Sequence, residues 1–407
     1  MATIRPFQAI RPAKGYEDKI AALPYDVFSL SEARLEAAKE PLSFLAIDRP
    51  EIIVQNGENI YEAAGRRLKE QIGQGYYVKE DEPCLFIYQL SIAGRSQSGV
   101  VALSLVDDYL RGTIHRHENT RAEKEADRIA HVEGCMAQTG PIFLAYRAKS
   151  EISAAVAAFQ KQEPLYDFET PDGVTHRIWR LTGQQCDRLE ALFDGVKDFY
   201  IADGHHRCAA AAACALKMRK KNPDYRGDEP WNYIMSVIFP DEELLIMDYN
   251  RILKDLNGLT EKQLLARIGK CFEVEFSGDA LAEPAKKGVI GMYLRSGWYT
   301  LYLKEEFYRE DPVEGLDVAL LQRLVLDPVF GIKDPRTDER ILFVGGIRGT
   351  KELVDRVNRF GGAAFWMHPT SMKELFDVAN AGLLMPPKST WFEPKLRSGL
   401  FIHSLEE

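Results

Sequence analysis

Residues 199–221, FYIADGHHRCAAAAACALKMRKK, place a carboxylate, two imidazoles and a guanidinium within five positions: Asp203-Gly204-His205-His206-Arg207. The pattern predicts a short strand, Phe199 to Ala202, that turns into an alanine-dense helix from Arg207 to about Lys221. Asn222-Pro223 would stop that helix. The first turn of a helix carries N–H groups without intrahelical partners and the positive end of the dipole, and both attract phosphate. Gly204 has no Cβ to keep a ligand oxygen away, and Arg207 offers a planar fork suited to phosphate. A plainer reading fits the same residues: a capped strand–helix turn, with Asp203 as N-cap and two surface histidines. No G-x-x-x-x-G-K-[ST] occurs anywhere, so the segment is not a P-loop.

Three other groupings carry chemistry. In TIHRHENT, an extended backbone would put His115 and His117 on one face. With a histidine from the 205–206 pair they could ligate zinc or iron in a metal-dependent hydrolase, although no H-E-x-x-H spacing supports this. Glu118 reads either as a general base or as a surface partner of Arg116 or Arg121. In MPPKSTWFEPKLRSGL, residues 385–400, Lys388, Ser389, Thr390 and Lys395 could bind a substrate carboxylate or phosphate. Equally, the segment could be a clasp that returns the C-terminus to the first domain. Tyr25 and Asp26, in the loop after Pro24, are weaker candidates for contacting a substrate.

Several of these segments occur together in a recognisable order. PYDVFS (24–29), RPEI (49–52), HENT with Lys124 and Asp127-Arg128, ADGHHR (202–207), HPTSM (368–372) and MPPKSTWFEPKLRSGL (385–400) resemble the domain-of-unknown-function 1015 family over nearly the whole chain. The central part of that family is similar to the superfamily of ParB N-terminal domains, sulfiredoxin and free-serine kinases. There, a glycine-to-arginine element at a helix N-terminus holds nucleotide phosphates.

The resemblance implies phosphate contacts from Gly204, His205, His206 and Arg207, with Asp203 beside the transferred group. It also implies that His117-Glu118 corresponds to the His-Glu pair on the opposite wall of the kinase cleft. Cys208 falls one residue past Arg207, whereas the catalytic cysteine of sulfiredoxin lies at the place of His205, so sulfinic-acid reduction is not expected. Two positions depart from the family pattern: Asn250-Arg251 stands where a His-Arg pair is frequent, and Arg116 where a proline is.

The function this implies is a small-molecule kinase that transfers a phosphoryl group from ATP or ADP to a metabolite hydroxyl, with free L-serine as the acceptor. Phosphoryl transfer needs alignment, charge neutralisation and a group to take the hydroxyl proton. Mg²⁺ is expected with the nucleotide, Glu118 as the base, and Asp203 as a magnesium ligand or the alternative base. A ParB-like nucleotide-binding or nucleotide-hydrolysing switch is the competing expectation.

The elements that must position these residues read as mixed α and β throughout. The fold class expected is α+β: a ParB/sulfiredoxin-like nucleotide-binding core with insertions over 1–255, and a C-terminal α/β domain over 256–407 that completes the cleft. Apolar runs at 84–90 and 99–106, around AGRSQSG, predict a hairpin. Further strands are expected at PIFLAYR, 166–182, 233–239, 244–247, 289–294, 299–303, 341–344 and 363–367. Helices are expected from Ser29 or Ser31, over 59–73, 120–138, 183–192, 261–271, 316–326, 351–360 and 372–381.

Across 407 residues, 52 Lys and Arg face 61 Asp and Glu, a net charge of -9 that disfavours nucleic acid or an anionic membrane as partner. The partners expected are a small-molecule substrate and a nucleotide, with a homodimer left open. Six scattered cysteines without a C-x-x-C pair, no apolar leader and no long uncharged apolar run give the expectation of a soluble, cytoplasmic protein.

Overall fold

Unbroken apolar runs such as Leu85-Phe86-Ile87-Tyr88 and Val100-Val101-Ala102 are buried on both faces, the mark of central strands covered from either side. In the computed structural model, which describes residues 1–54 and 57–406, they lie in the middle of a nine-stranded mixed sheet. Its order is Ile114–His115, Phe199–Asp203, Ile142–Tyr146, Tyr233–Pro240, Arg95–Leu105, Leu85–Ile92, Thr175–Leu181 and Tyr166–Glu169, with Ile4–Arg5 pairing Arg95–Leu105 as well. Two of the pairings are parallel: Phe199–Asp203 with Ile114–His115, and Tyr233–Pro240 with Ile142–Tyr146. The fold is therefore mixed α+β around one large sheet.

The chain divides into two units. The first comprises residues 1–116, 120–244 and 394–407, and the second 117–119 with 245–393. This differs from the division expected at 255/256, and strand pairing explains why. Leu245–Met247 pairs with Trp391–Glu393, and Tyr249–Leu253 lies between Ala363–Trp366 and Ile341–Gly345 in the second unit's six-stranded antiparallel sheet. Residues 394–407 instead return to the first unit. There Ser398 exchanges backbone hydrogen bonds with Ala22, Ile402 does so with Ile10, and His403–Ser404 pairs with Ala137–Gln138.

Most expected elements are present, with instructive differences. The hairpin turn is only Ala93-Gly94, at φ of +50° and +78°, because the polar residues Arg95 to Ser98 continue the ladder. Helix Leu30–Lys39 starts at Ser29, whose hydroxyl accepts from the Glu32 N–H while Glu32 reaches back to the Ser29 N–H. Helix Ser150–Phe159 and strand Phe272–Gly278 were not foreseen. The latter is an edge strand in which exposed Glu273 and Glu275 alternate with Phe272, Val274 and Phe276.

In the first unit, helices Ile60–Gly73 and Ala122–Cys135 cross at glycines. A Cβ on Gly65 would lie 2.0 Å from the Gly134 carbonyl oxygen, and one on Gly134 would lie 2.5 Å from the Tyr61 carbonyl oxygen. That close approach fixes which residues of helix Ala122–Cys135 face inward: Arg128, His131 and Cys135.

Candidate active site

Strand Phe199–Asp203 ends in a register shift after Ile201, and helix His205–Lys221 begins two residues after Asp203. Gly204 makes this abrupt joint with φ +95° and ψ +30°, a left-handed conformation that is costly for other residues. The structure thus gives the turn its form: the first-turn N–H groups of His205, His206 and Arg207, at the start of a seventeen-residue helix, come right after Asp203. The buried Cys208, Ala211, Ala212 and Ala215 seat the helix in the core with the sheet's Leu144, Ile201 and Ile234.

Asp203 is not an N-cap in the usual sense. Its Oδ1 accepts from the adjacent Gly204 N–H at 2.9 Å, and its Oδ2 accepts from Lys395 Nζ at 3.0 Å. Burial opposes its charge, but Lys395 first, then Arg207 and His205, more than offset this and hold the carboxyl well below the usual range. Arg207 folds back over Gly204 and donates to the Pro141 carbonyl at 2.8 Å. His205 is buried in the first turn. His206 Nε2 accepts the backbone N–H of Arg121 at 3.1 Å, which leaves its proton on Nδ1.

Around Arg207 lies a set of residues that sequence reasoning mostly missed. Asp48, Arg128, His131, Thr139 and Gly140 join it around a cavity of about 30 Å³, room for ordered water rather than for a metabolite. Arg128 grips Asp127 Oδ2 through Nε at 2.8 Å and lies under the Tyr25 ring at 4.0 Å. Tyr61 OH donates to the other Asp127 oxygen at 2.9 Å. Burial lowers the pKa of His131, and the charge of Arg128 adds to that, so the ring stays neutral and hydrogen-bonds the Ile47 carbonyl. Burial, with Asp26 adding to it, raises the Tyr25 phenol far above its ordinary value. Asp26 itself is exposed. The signal that could have found this cluster was Asp127-Arg128, one helical turn before His131 on the same face.

The remaining candidates separate. His117 and Glu118 belong to the second unit, as do Lys388, Ser389 and Thr390, whereas Lys395 belongs to the first. In the second unit, the buried His117 carbonyl accepts from the Met385 N–H at 2.7 Å, and Thr390 Oγ1 lies 3.5 Å from His117 Nε2. Ser389 is a loop fastener, donating to the Pro386 carbonyl at 2.6 Å and accepting from Thr370 through its own carbonyl at 2.9 Å. Lys388 is exposed, at φ +62°, and its carbonyl accepts from buried Arg251 at 3.0 Å. Asn250 accepts the Met367 N–H at 3.0 Å and donates to Asp248, a structural task.

His115 is engaged within the first unit. Its Nε2 lies 3.2 Å from Asp198, and its ring stacks on Tyr200, in the first unit. Among the described residues no three His, Cys, Asp or Glu side chains are grouped to hold a metal. A single carboxylate at this turn does not suit zinc or iron. It does suit magnesium brought in by a nucleotide, an ion usually held by one or two carboxylates together with phosphates and water. Cys208 is wholly buried and its thiol is pushed far up by that burial, so it has no nucleophilic use. All six cysteines are free, and among the described residues no helix is long and apolar enough to cross a membrane.

With this geometry in view, comparison with family profiles finds a match over residues 4–319, described as a protein of unknown function, DUF1015. The chain belongs to the DUF1015 family. The matched span contains the whole Asp203–Arg207 turn and ends before Lys388–Lys395. A search of curated proteins finds no match.

Among solved structures, a free serine kinase in complex with AMP is similar, at 14% identity and a TM-score of 0.38 over 74% of this chain and 92% of that one. A variant of a free serine kinase in complex with ADP gives 14% and 0.36 over the same shares. SbnI from Staphylococcus aureus, truncated at its C-terminus, gives 13% and 0.41 over 75% of this chain and 89% of its own.

Proposed function

We propose that the protein is a nucleotide-dependent phosphotransferase acting on the hydroxyl of a small metabolite, with free L-serine as the first acceptor to try. The observation that carries this is the Asp203–Arg207 turn. A long helix opens its N-terminus beside a carboxylate held anionic, with a guanidinium folded over the bare Cα of a glycine. Helix N-termini of this kind bind phosphate through backbone N–H groups, and Arg207 adds charge where the transferred group would develop it. The likeness of ADGHHR to the free-serine-kinase element supports the acceptor named.

Roles follow from the chemistry of each group. Backbone N–H groups at 205–207 and the Arg207 fork bind donor phosphates, with His205 beside them. His206 already accepts from Arg121, so its contribution would come through Nδ1–H. Asp203, held anionic, is the wrong strength for a general base, whose pKa should approach the working pH. It is therefore the carboxylate that would hold Mg²⁺, which would neutralise charge on the phosphates. Glu118 is left as the base on the acceptor hydroxyl, with His117 beside it in sequence. Tyr25, Asp26, Lys388, Ser389 and Thr390 are the substrate-side candidates.

The test is incubation with serine, Mg²⁺ and either ATP or ADP, read by phosphorus NMR. O-phosphoserine is the expected product, and no product across a panel of hydroxyl metabolites would overturn the proposal. Nucleotide hydrolysis without any acceptor would favour the ParB-like switch instead. Glu118→Gln should keep nucleotide binding and lose turnover, and a full rate in that variant would refute its role as base.

A further inference from the structure

Residues 394–407 form a strap that threads the first unit, and its fastenings are unequal. Arg397 is 3% exposed, and its Nη2 donates to Asp172, at 2.7 and 2.5 Å from the two carboxylate oxygens, and to Thr170 Oγ1 at 3.0 Å. Ser398 exchanges backbone hydrogen bonds with Ala22 at 2.9 and 3.2 Å, and the Gly399 N–H donates to the Thr139 carbonyl at 3.2 Å. Ile402 and His403–Ser404 add further backbone pairs. The strap is thus held by an arginine and by main-chain bonds, all C-terminal to Lys395.

Lys395 contributes something else. Its ammonium, on a side chain 11% exposed, lies 3.0 Å from Asp203 Oδ2, the oxygen that no backbone group takes. An arginine would present a planar fork able to lock such a carboxylate with two parallel bonds. A lysine instead is a compact point charge on a flexible stem, able to leave without moving the backbone. The position it occupies, one unit charge against a carboxylate at a phosphate-binding turn, is also the position a divalent cation would take.

We infer that Lys395 is an exchangeable counter-ion. It neutralises Asp203 while the turn is empty and shields that carboxylate from a divalent cation. When nucleotide phosphates arrive, the Lys395 ammonium moves to them and Asp203 is freed for the ion. This rests on the phosphotransferase reading for what the phosphates belong to, but the shielding of Asp203 is a property of the chain alone.

The experiment measures Mn²⁺ affinity by electron paramagnetic resonance, with and without ADP, in the wild type, Lys395→Met, Lys395→Arg and the double variant Asp203→Asn with Lys395→Met. Without ADP, Lys395→Met should bind Mn²⁺ at least tenfold more tightly than the wild type. Lys395→Arg should match the wild type, and the double variant should lose the gain. Equal Mn²⁺ affinity in the wild type and Lys395→Met overturns the inference, even if ADP tightens Mn²⁺ binding and so upholds the nucleotide site. A gain in Lys395→Met with no effect of ADP on any variant supports the shielding role and counts against the phosphotransferase reading. Lys395→Met that fails to melt cooperatively while Lys395→Arg does would make Lys395 a structural fastener, and would also overturn the inference.

Discussion

The Arg207 guanidinium lies against the bare Cα of Gly204: a Cβ built there would sit 3.1 Å from Nη2 and 3.3 Å from Nε. One residue's missing side chain is therefore the space in which another's charge is stored. Gly204→Ala meets two penalties, the left-handed φ of +95° and the displaced arginine. A loss of about 1–2 kcal/mol in stability is expected from the backbone alone, measured by denaturant unfolding. Nucleotide affinity, measured calorimetrically, should fall much further, by tenfold or more. A variant that loses stability but binds ADP like the wild type would show that Arg207 does not face phosphate.

Two buried imidazoles make the first unit sensitive to acid. Burial depresses His403 to about 4, opposed only by the bond from its Nε2–H to the Pro230 carbonyl. His176 falls to about 3 through burial and the charge of Arg397. The unfolded chain would bind these protons from about pH 6.5 downward. Between there and pH 4 the unfolded state holds more protons than the native one, so stability falls as pH falls through that window. For His403 the loss should approach about 3 kcal/mol by pH 4. His403→Gln, whose amide can still donate to Pro230, should flatten that part of the profile. An unchanged slope between pH 6.5 and 4.5 in urea titrations would count against it.

Arg397 fastens the strap, and its removal should be felt there first. With Asp172 43% exposed, the orphaned carboxylate could hydrate, so Arg397→Met should cost about 2 kcal/mol, less than a fully buried pair. Hydrogen exchange should rise over 396–404 before it rises in the central strands, because the Ser398 and Gly399 main-chain bonds depend on that anchor. Uniform loosening of the whole unit would instead mean that the strap is part of the cooperative core.

How much of this was legible in the sequence depends on how local the information is. The 203–207 turn could be read because strand, glycine and helix are contiguous, and the Ser29–Glu32 capping box because it spans one helical turn. The 85–105 hairpin was found but its turn misplaced, since Arg95-Ser96-Gln97-Ser98 is polar yet fully paired. Asp48, Thr139 and Lys395 converge on the turn from three distant stretches, and only tertiary pairing brings them there. Lys388 and Lys395 fall in different units, because the chain passes from one to the other at Pro394, and the Lys388 carbonyl is taken by the second unit's Arg251. His115 and His117 likewise fall in different units, with the change between Arg116 and His117.

The crossing at Gly65 and Gly134 gives a last, sharper expectation, because it links backbone packing to the order of Arg128. Tyr61 projects from one helix and donates to Asp127 on the other, and Asp127 in turn holds Arg128 beneath Tyr25. Tyr61→Phe removes only the hydroxyl and should cost about 1 kcal/mol. Gly134→Ala forces a methyl to within 2.5 Å of the Tyr61 carbonyl oxygen, so the helices must part, at about 2–3 kcal/mol. If Arg128 is held through Asp127, both variants should weaken ADP binding, and Gly134→Ala more so, because it moves the whole of helix Ala122–Cys135 and with it the Arg121 N–H that His206 accepts. Calorimetric titration of both variants decides the matter. Should Gly134→Ala lose stability while keeping wild-type affinity, the Asp127–Arg128 pair would be scaffolding for the N-terminal loop and no part of the nucleotide site.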